Sequence, residues 1–151
     1  MSEQQTPERL FQIQKIYLKD VSLEAPNAPH IFRSQWEPEI GLQLNNATTD
    51  LGESTHEVVL SLTVTAKLKD KTAYIVEIQQ AGIFTIAGYN DEELGQLLGA
   101  FCPNVLFPFA REAVSDLVTK GGFPPLLLAP INFDMLYQEQ LQKQAEAQGT
   151  H

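Results

Sequence analysis

The feature that most constrains this chain is a change of period. Val58, Leu60, Leu62, Val64, Ala66 and Leu68 fall on alternate positions, and Glu57, Ser61, Thr63, Thr65, Lys67 and Lys69 share the other parity. Such alternation belongs to a strand with one dry face. Beyond Asn90 the repeat lengthens. Leu94, Leu97, Leu98, Phe101 and Cys102 recur at the three- and four-residue spacing of a helix. A chain that alternates first and turns helical afterwards folds as a sheet with its helices behind it, an α+β arrangement.

Three further segments carry the strand period. From Phe11, one parity holds Ile13, Tyr17, Val21 and Leu23, and the other holds Ile16, Leu18, Asp20 and Glu24. Read as a regular strand, this first segment is apolar on both faces in its middle. Pro26 and Pro29 end it. A second strand opens near Glu39 with Ile40, Leu42 and Leu44 inward, and the polar stretch 45–55 reads as its turn. After Lys69-Asp70-Lys71, a fourth strand places Tyr74, Val76 and Ile78 on one face and Ala73, Ile75, Glu77 and Gln79 on the other. Short connections between long strands predict a four-stranded antiparallel meander.

The helical part has its own punctuation. Asn90 with Glu93 three residues on has capping-box spacing. Pro103 must kink or break the helix, whose stripe resumes through Phe109, Ala113, Val114, Leu117 and Val118 until Gly121-Gly122. A proline-rich apolar crossing, 123–131, precedes a short C-terminal helix capped by Asn132, with Phe133, Leu136, Tyr137 and Leu141 on one side. Residues 1–10 read as a flexible start, 11–143 as one domain, and 144–151 as a mobile tail.

Composition excludes several classes of function. The net charge is −9. With Lys15, Lys19, Lys67, Lys69 and Lys71 interspersed with acids, there is no cationic patch for nucleic acid or anionic lipid. Cys102 is the only cysteine, so neither an intrachain disulfide nor a cysteine zinc cage forms. It reads as a packing residue rather than a nucleophile. His30, His56 and His151 are dispersed, the first two expected to be solvated. No phosphate-loop, dinucleotide, nucleophile-elbow or metalloprotease motif occurs, so no catalytic residue and no cofactor is expected. The amino terminus lacks a secretory signal pattern and no apolar run is long enough to span a bilayer, which predicts a cytoplasmic protein without membrane insertion.

Two surpluses of apolar surface remain. Residues 97–110 contain no charge until Arg111, and the first strand reads as two-sided. Both favour self-association over a monomer with an untidy surface. Trp36, Phe123, Leu126, Leu127, Leu128, Ile131, Phe133, Leu136 and Tyr137 exceed what a small helix needs for docking. They form either the wall of an open groove or a plug beneath the helix; the sequence leaves both open.

Four stretches taken together resemble the SecB family: FQIQKIYLKDVSLEAPNAPHIF from Phe11, EIQQAGIFTIAGY from Glu77, FCPNVLFPFARE from Phe101 and GGFPPLLLAPINFD from Gly121. The resemblance implies an ATP-independent chaperone that holds unfolded precursors and delivers them to the SecA motor. It implies a homotetramer, a dimer of dimers, with Ile16, Leu18, Val76, Ile78, Phe101 and Cys102 at its interfaces. Asp20, Glu24 and Glu77, with Ile75, match the acidic surface that receives SecA's zinc-bearing C-terminal tail; by spacing alone they are a solvated face. Trp36, Ile40, Leu42, Leu44, Phe123, Leu126, Phe133, Leu136 and Tyr137 match the client groove. The chain departs from the family in ending at EAQGTH rather than in a longer acidic tail, and in having Leu127 where a polar residue is common. A SecB-like chaperone serving a toxin–antitoxin pair is the alternative, against which the three carboxylates argue.

Overall fold

Every alternating segment becomes a strand, and each runs longer than its apolar pattern. The computed structural model describes residues 8–149. The strands are β1 (Leu10–Glu24), β2 (Glu39–Gly52), β3 (Thr55–Leu68) and β4 (Lys71–Ala87). They form one antiparallel sheet in the order β1-β4-β3-β2. The fold class is as expected, and β2, β3 and β4 follow one another as a meander. β1, however, joins at β4 rather than beside β2. Tight turns make β2, β3 and β4 pair in succession, whereas the long connection 25–38 lets β1 reach either side, and β4 is long enough to pair with all of it. Both β1 and β2 are therefore edges.

The polar stretch 45–55 is mostly strand, not turn. β2 continues to Gly52, and the reversal is made by Gly52, Glu53 and Ser54, all at positive φ. The Asp50 carboxylate accepts the Gly52 N–H at 2.8 Å and steadies that reversal.

β1 is not two-sided. Register shifts after Ile13 and after Leu18 insert one extra residue each, Gln14 and Lys19. Each bulge exchanges the parity that faces the core. Phe11, Ile13, Ile16, Leu18, Val21 and Leu23 all lie opposite core-facing residues of β4, while Tyr17, Asp20, Ser22 and Glu24 lie opposite outward ones. The apparent two-sidedness is an artefact of reading through two bulges.

One face of the sheet carries the helices α1 (Asp91–Gln96), α2 (Cys102–Lys120) and α3 (Phe133–Gly149). Asn90 and Glu93 form the capping box, with Asn90 Oδ1 accepting the Glu93 N–H at 2.8 Å. Pro103 does not break the helix. A π-helical turn, Leu97–Phe101, joins α1 to α2, and the Cys102 N–H reaches back to the Leu97 carbonyl. At that five-residue spacing the Leu98 carbonyl would need an N–H from residue 103, which proline lacks. Asn46 of β2 supplies it, Nδ2 donating to the Leu98 carbonyl at 3.1 Å. Pro108, unremarked in the sequence, lies inside α2.

The core fills the space between α2 and the centre of the sheet. Leu60, Leu62, Val64, Tyr74, Val76, Ile78 and Phe84 meet Leu106, Val114 and Val118, all fully buried. At Gly82 a methyl group would stand 2.7 Å from the Phe84 ring and 3.0 Å from Leu106, so glycine there makes room for both side chains between β4 and α2. His56, expected to be solvated, is buried, because its position on β3 shares the core-facing parity with Val58.

The ends of the chain hold more structure than expected. Arg9 is anchored, its guanidinium pairing with Glu93 at 2.6 Å and lying 5.3 Å above the Tyr89 ring. Asn132 caps α3 as expected, accepting the Met135 N–H at 3.0 Å. That helix is not short: it runs through the expected tail to Gly149. Residues 1–7, 150 and 151, with His151 among them, lie outside the described residues.

Candidate functional site

No described helix covers the other face of the sheet, and the carboxylates singled out in the sequence converge on it. Asp20 lies opposite Gln79, Ser22 opposite Glu77 and Glu24 opposite Ile75. Thr63 and Thr65 of β3 continue the same rows. The second bulge turns Asp20 and Glu24 outward, and the ordinary parity of β4 turns Glu77 outward. Asp20, Glu24 and Glu77 are exposed, and the half-buried Ile75 lies at one end of the row, beside Glu24. Asp20 and Glu24 are separated by about 13 Å along the strand. None of the three carboxylates makes an ion pair among the described residues.

A second polar group lies beside this one. Tyr17 and Lys19 reach across β4, over Ala81 and Ile83, to Glu57 on β3. The Tyr17 hydroxyl donates to Glu57 Oε2. Lys19 Nζ donates to both carboxylate oxygens, at 3.0 and 3.1 Å. The Glu57 side chain is only 14% exposed, so these bonds operate in partial shelter from water. They favour its ionised form: the hydrogen bond from Tyr17, then that from Lys19, holds the Glu57 carboxyl below its ordinary range. Burial, with the adjacent carboxylate, pushes the Tyr17 phenol up to about 12. Sequence reading missed Glu57 because β4 separates its strand from β1, and nothing local marks the contact.

The residues matched to a client groove divide into three sets. Phe123 and Phe133 belong to the core: Phe123 packs at 4.9 Å from Tyr74 and 5.6 Å from Trp36, and Phe133 at 5.7 Å from Phe107. For these two the plug reading is correct, and neither offers a surface. Trp36, Leu44, Leu126 and Tyr137 are half-buried. Tyr137 lies across α1 and the π turn, where its hydroxyl would stand 2.6 Å from a methyl at Gly95 and its ring would overlap one at Gly99. Ile40 and Leu42 point to the helix side of β2 yet stay about 40% exposed, and Leu136 is exposed on α3. Leu127, in the crossing, is 83% exposed.

The residues matched to oligomer contacts also divide. Val76, Ile78 and Cys102 are buried by the chain's own core and present nothing to a second copy, which corrects their assignment to an interface. They fill the space under α2, which needs the central strands for its own burial. Ile16 is half-buried; Leu18 is 49% exposed and Phe101 is exposed. Beside Leu18 on the same face of β1, Ile13 and Val21 are also uncovered, because α2 sits over β3 and β4 and stops short of the edge.

Among the described residues no group of three His, Cys, Asp or Glu side chains is placed to hold a metal ion. Burial raises the Cys102 thiol to about 12, far from a reactive thiolate at neutral pH. No described helix is long and apolar enough to cross a membrane.

Comparison with known proteins places this architecture. Residues 3–144 match the SecB family, described as preprotein translocase subunit SecB. The protein-export protein SecB of Nitrosococcus oceani is 61% identical over 97% of this chain and 93% of its own length. That of Methylococcus capsulatus is 61% identical over 93% of this chain and 90% of its own. Among solved structures, a Mycobacterium tuberculosis SecB-like chaperone, in complex with a peptide from an antitoxin, superposes with a TM-score of 0.68. It is 22% identical, covering 80% of this chain and 90% of its own, and bears on the fold alone.

Proposed function

The chain belongs to the SecB family and is a chaperone of protein export, and from that premise we propose that it holds unfolded precursors without ATP and delivers them to SecA in the cytoplasm. The observation that carries the holding step is uncovered apolar surface on the helix side, at Ile40, Leu42, Leu127 and Leu136. Ile40 and Leu42 also sit on an edge strand, whose free backbone groups suit an extended client. Each such contact is weak, and many on one long client add through avidity. A binder of this kind acts by lowering the free concentration of the unfolded chain.

Delivery rests on the opposite face. Asp20, Glu24 and Glu77, with Ile75 at one end beside Glu24, offer an anionic surface with an apolar margin, suited to the zinc-bearing C-terminal tail of SecA. The zinc belongs to the partner. The working form is a homotetramer, a dimer of dimers, in which Ile13, Leu18 and Val21 of β1 are covered by a second copy.

Light-scattering mass of the pure protein, alone and with an unfolded precursor, tests the reading. About four times 16.8 kDa alone, rising by the client's mass, is expected. A stable monomer that leaves the precursor to aggregate overturns it. Asp20→Asn, Glu24→Gln and Glu77→Gln together should abolish binding of the SecA tail and leave client holding intact.

A further inference from the structure

The bulge in β1 creates a problem for the acidic face and the sheet contains an answer to it. In a regular strand Lys19 and Asp20 would point to opposite faces. Here the extra residue places both on the outer face: Asp20 opposite Gln79, and Lys19 bonded to Glu57. A lysine free to swing beside Asp20 would neutralise part of the patch. It is not free. Glu57 lies opposite Ile83 of β4, four residues from Gln79 and on the side away from Glu77 and Ile75. That places Lys19's partner about 13 Å along the sheet from the row of Asp20, in the direction opposite the patch. Glu57 takes the ammonium with both oxygens and is itself fixed by the Tyr17 hydroxyl.

We propose that Glu57, oriented by Tyr17, is a positioning residue for the acidic face: it sequesters Lys19, so that Asp20, Glu24 and Glu77 stay uncompensated for a cationic partner. This rests on the reading of that face as the docking surface for a cationic, zinc-bearing tail. Glu57 does not itself touch the partner. Its effect is electrostatic and acts through Lys19, so removing Lys19 must undo the loss of Glu57.

Binding of the zinc-loaded tail peptide to the intact protein is the test, measured at low and moderate salt. Glu57→Gln should weaken binding roughly three- to tenfold, with the larger loss at low salt. Glu57→Gln with Lys19→Gln should return it to within about twofold of the unmodified protein. Tyr17→Phe should weaken it in the same direction by less. Glu53→Gln, the same charge change in the β2–β3 turn, should leave it unaltered. The single and double variants both lack the ion pair, so lost stability cannot explain a recovery. Wild-type affinity in Glu57→Gln, no recovery in the double variant, or an equal loss in Glu53→Gln each overturns the proposal. The Asp20→Asn, Glu24→Gln, Glu77→Gln variant separates the two levels. If it binds normally, the docking face is wrong and this inference goes with it; if it fails to bind while Glu57→Gln binds normally, only the role of Glu57 is lost.

Discussion

Tyr17 and Glu57 hold each other across β4, and their ionisation gives the contact a pH signature. The folded phenol titrates at about 12 against an ordinary 10.0. Its contribution to stability is therefore complete below pH 10 and is lost as pH rises through about 12. Glu57 is shifted the other way. Its contribution is complete above its ordinary 4.5 and is lost as pH falls through its lower folded value. Urea unfolding across both limbs should show Tyr17→Phe about 1–2 kcal/mol less stable at neutral pH, for one charge-assisted hydrogen bond lost. The variant should also lack the steep alkaline decline. Glu57→Gln should flatten the acid limb. Equal pH profiles for Tyr17→Phe and the unmodified protein would show that the hydroxyl is not bonded in solution.

At the scale of elements, α3 packs through its N-terminal half, where Gln96 Nε2 also donates to the Asp134 carboxylate at 2.8 Å. Phe133 enters the core, Tyr137 crosses two glycines, and the C-terminal half of the helix is exposed. Gly99→Ala gains up to about 1 kcal/mol of helix propensity, yet its methyl would overlap the Tyr137 ring. The clash should win locally. Hydrogen exchange of α3 amides should quicken while β3, β4 and α2 keep their protection. Phe133→Ala should behave differently, costing about 3–5 kcal/mol of global stability because it empties a core site. Leu136→Ala, on an exposed neighbour in the same helix, should cost little stability and weaken precursor holding. Were Phe133→Ala to leave the melting temperature unchanged, the plug reading would fail.

The whole molecule leaves an excess of apolar surface uncovered at the edge of its sheet, at Ile13, Leu18 and Val21. Covering Ile13, Leu18 and Val21 removes part of that excess, and the neighbouring edge of β1 offers free backbone groups to a second copy. Ile13→Asp with Leu18→Asp should convert the proposed tetramer to smaller species with an unaltered circular dichroism spectrum, since neither residue is in the core. A tetramer that survives both charges would move the interface off β1. The charge of −9 favours solubility of a protein that exposes Ile40, Leu42, Leu127 and Leu136.

Local pattern alone determined much of this protein. The strand period from Val58 to Leu68, the core-facing parity of Tyr74, Val76 and Ile78, the helical stripe after Asn90 and the caps at Asn90 and Asn132 were all legible. Each depends on a side chain and its near neighbours in sequence, and the structure keeps every one. The outward parity of Glu77 was legible for the same reason. What the tertiary structure decided is whatever depends on a distant partner. A bulge has no composition of its own, so the faces of Ile16, Leu18 and Asp20 emerged only from pairing with β4. Phe133 and Leu136 have the same helical periodicity, and only the position of Phe107 buries one and leaves the other to solvent. Asn46 finds the Leu98 carbonyl, and Lys19 finds Glu57, only after the sheet has brought separate strands together. Periodicity sets which way a side chain points; the packing of distant elements sets what, if anything, it meets there.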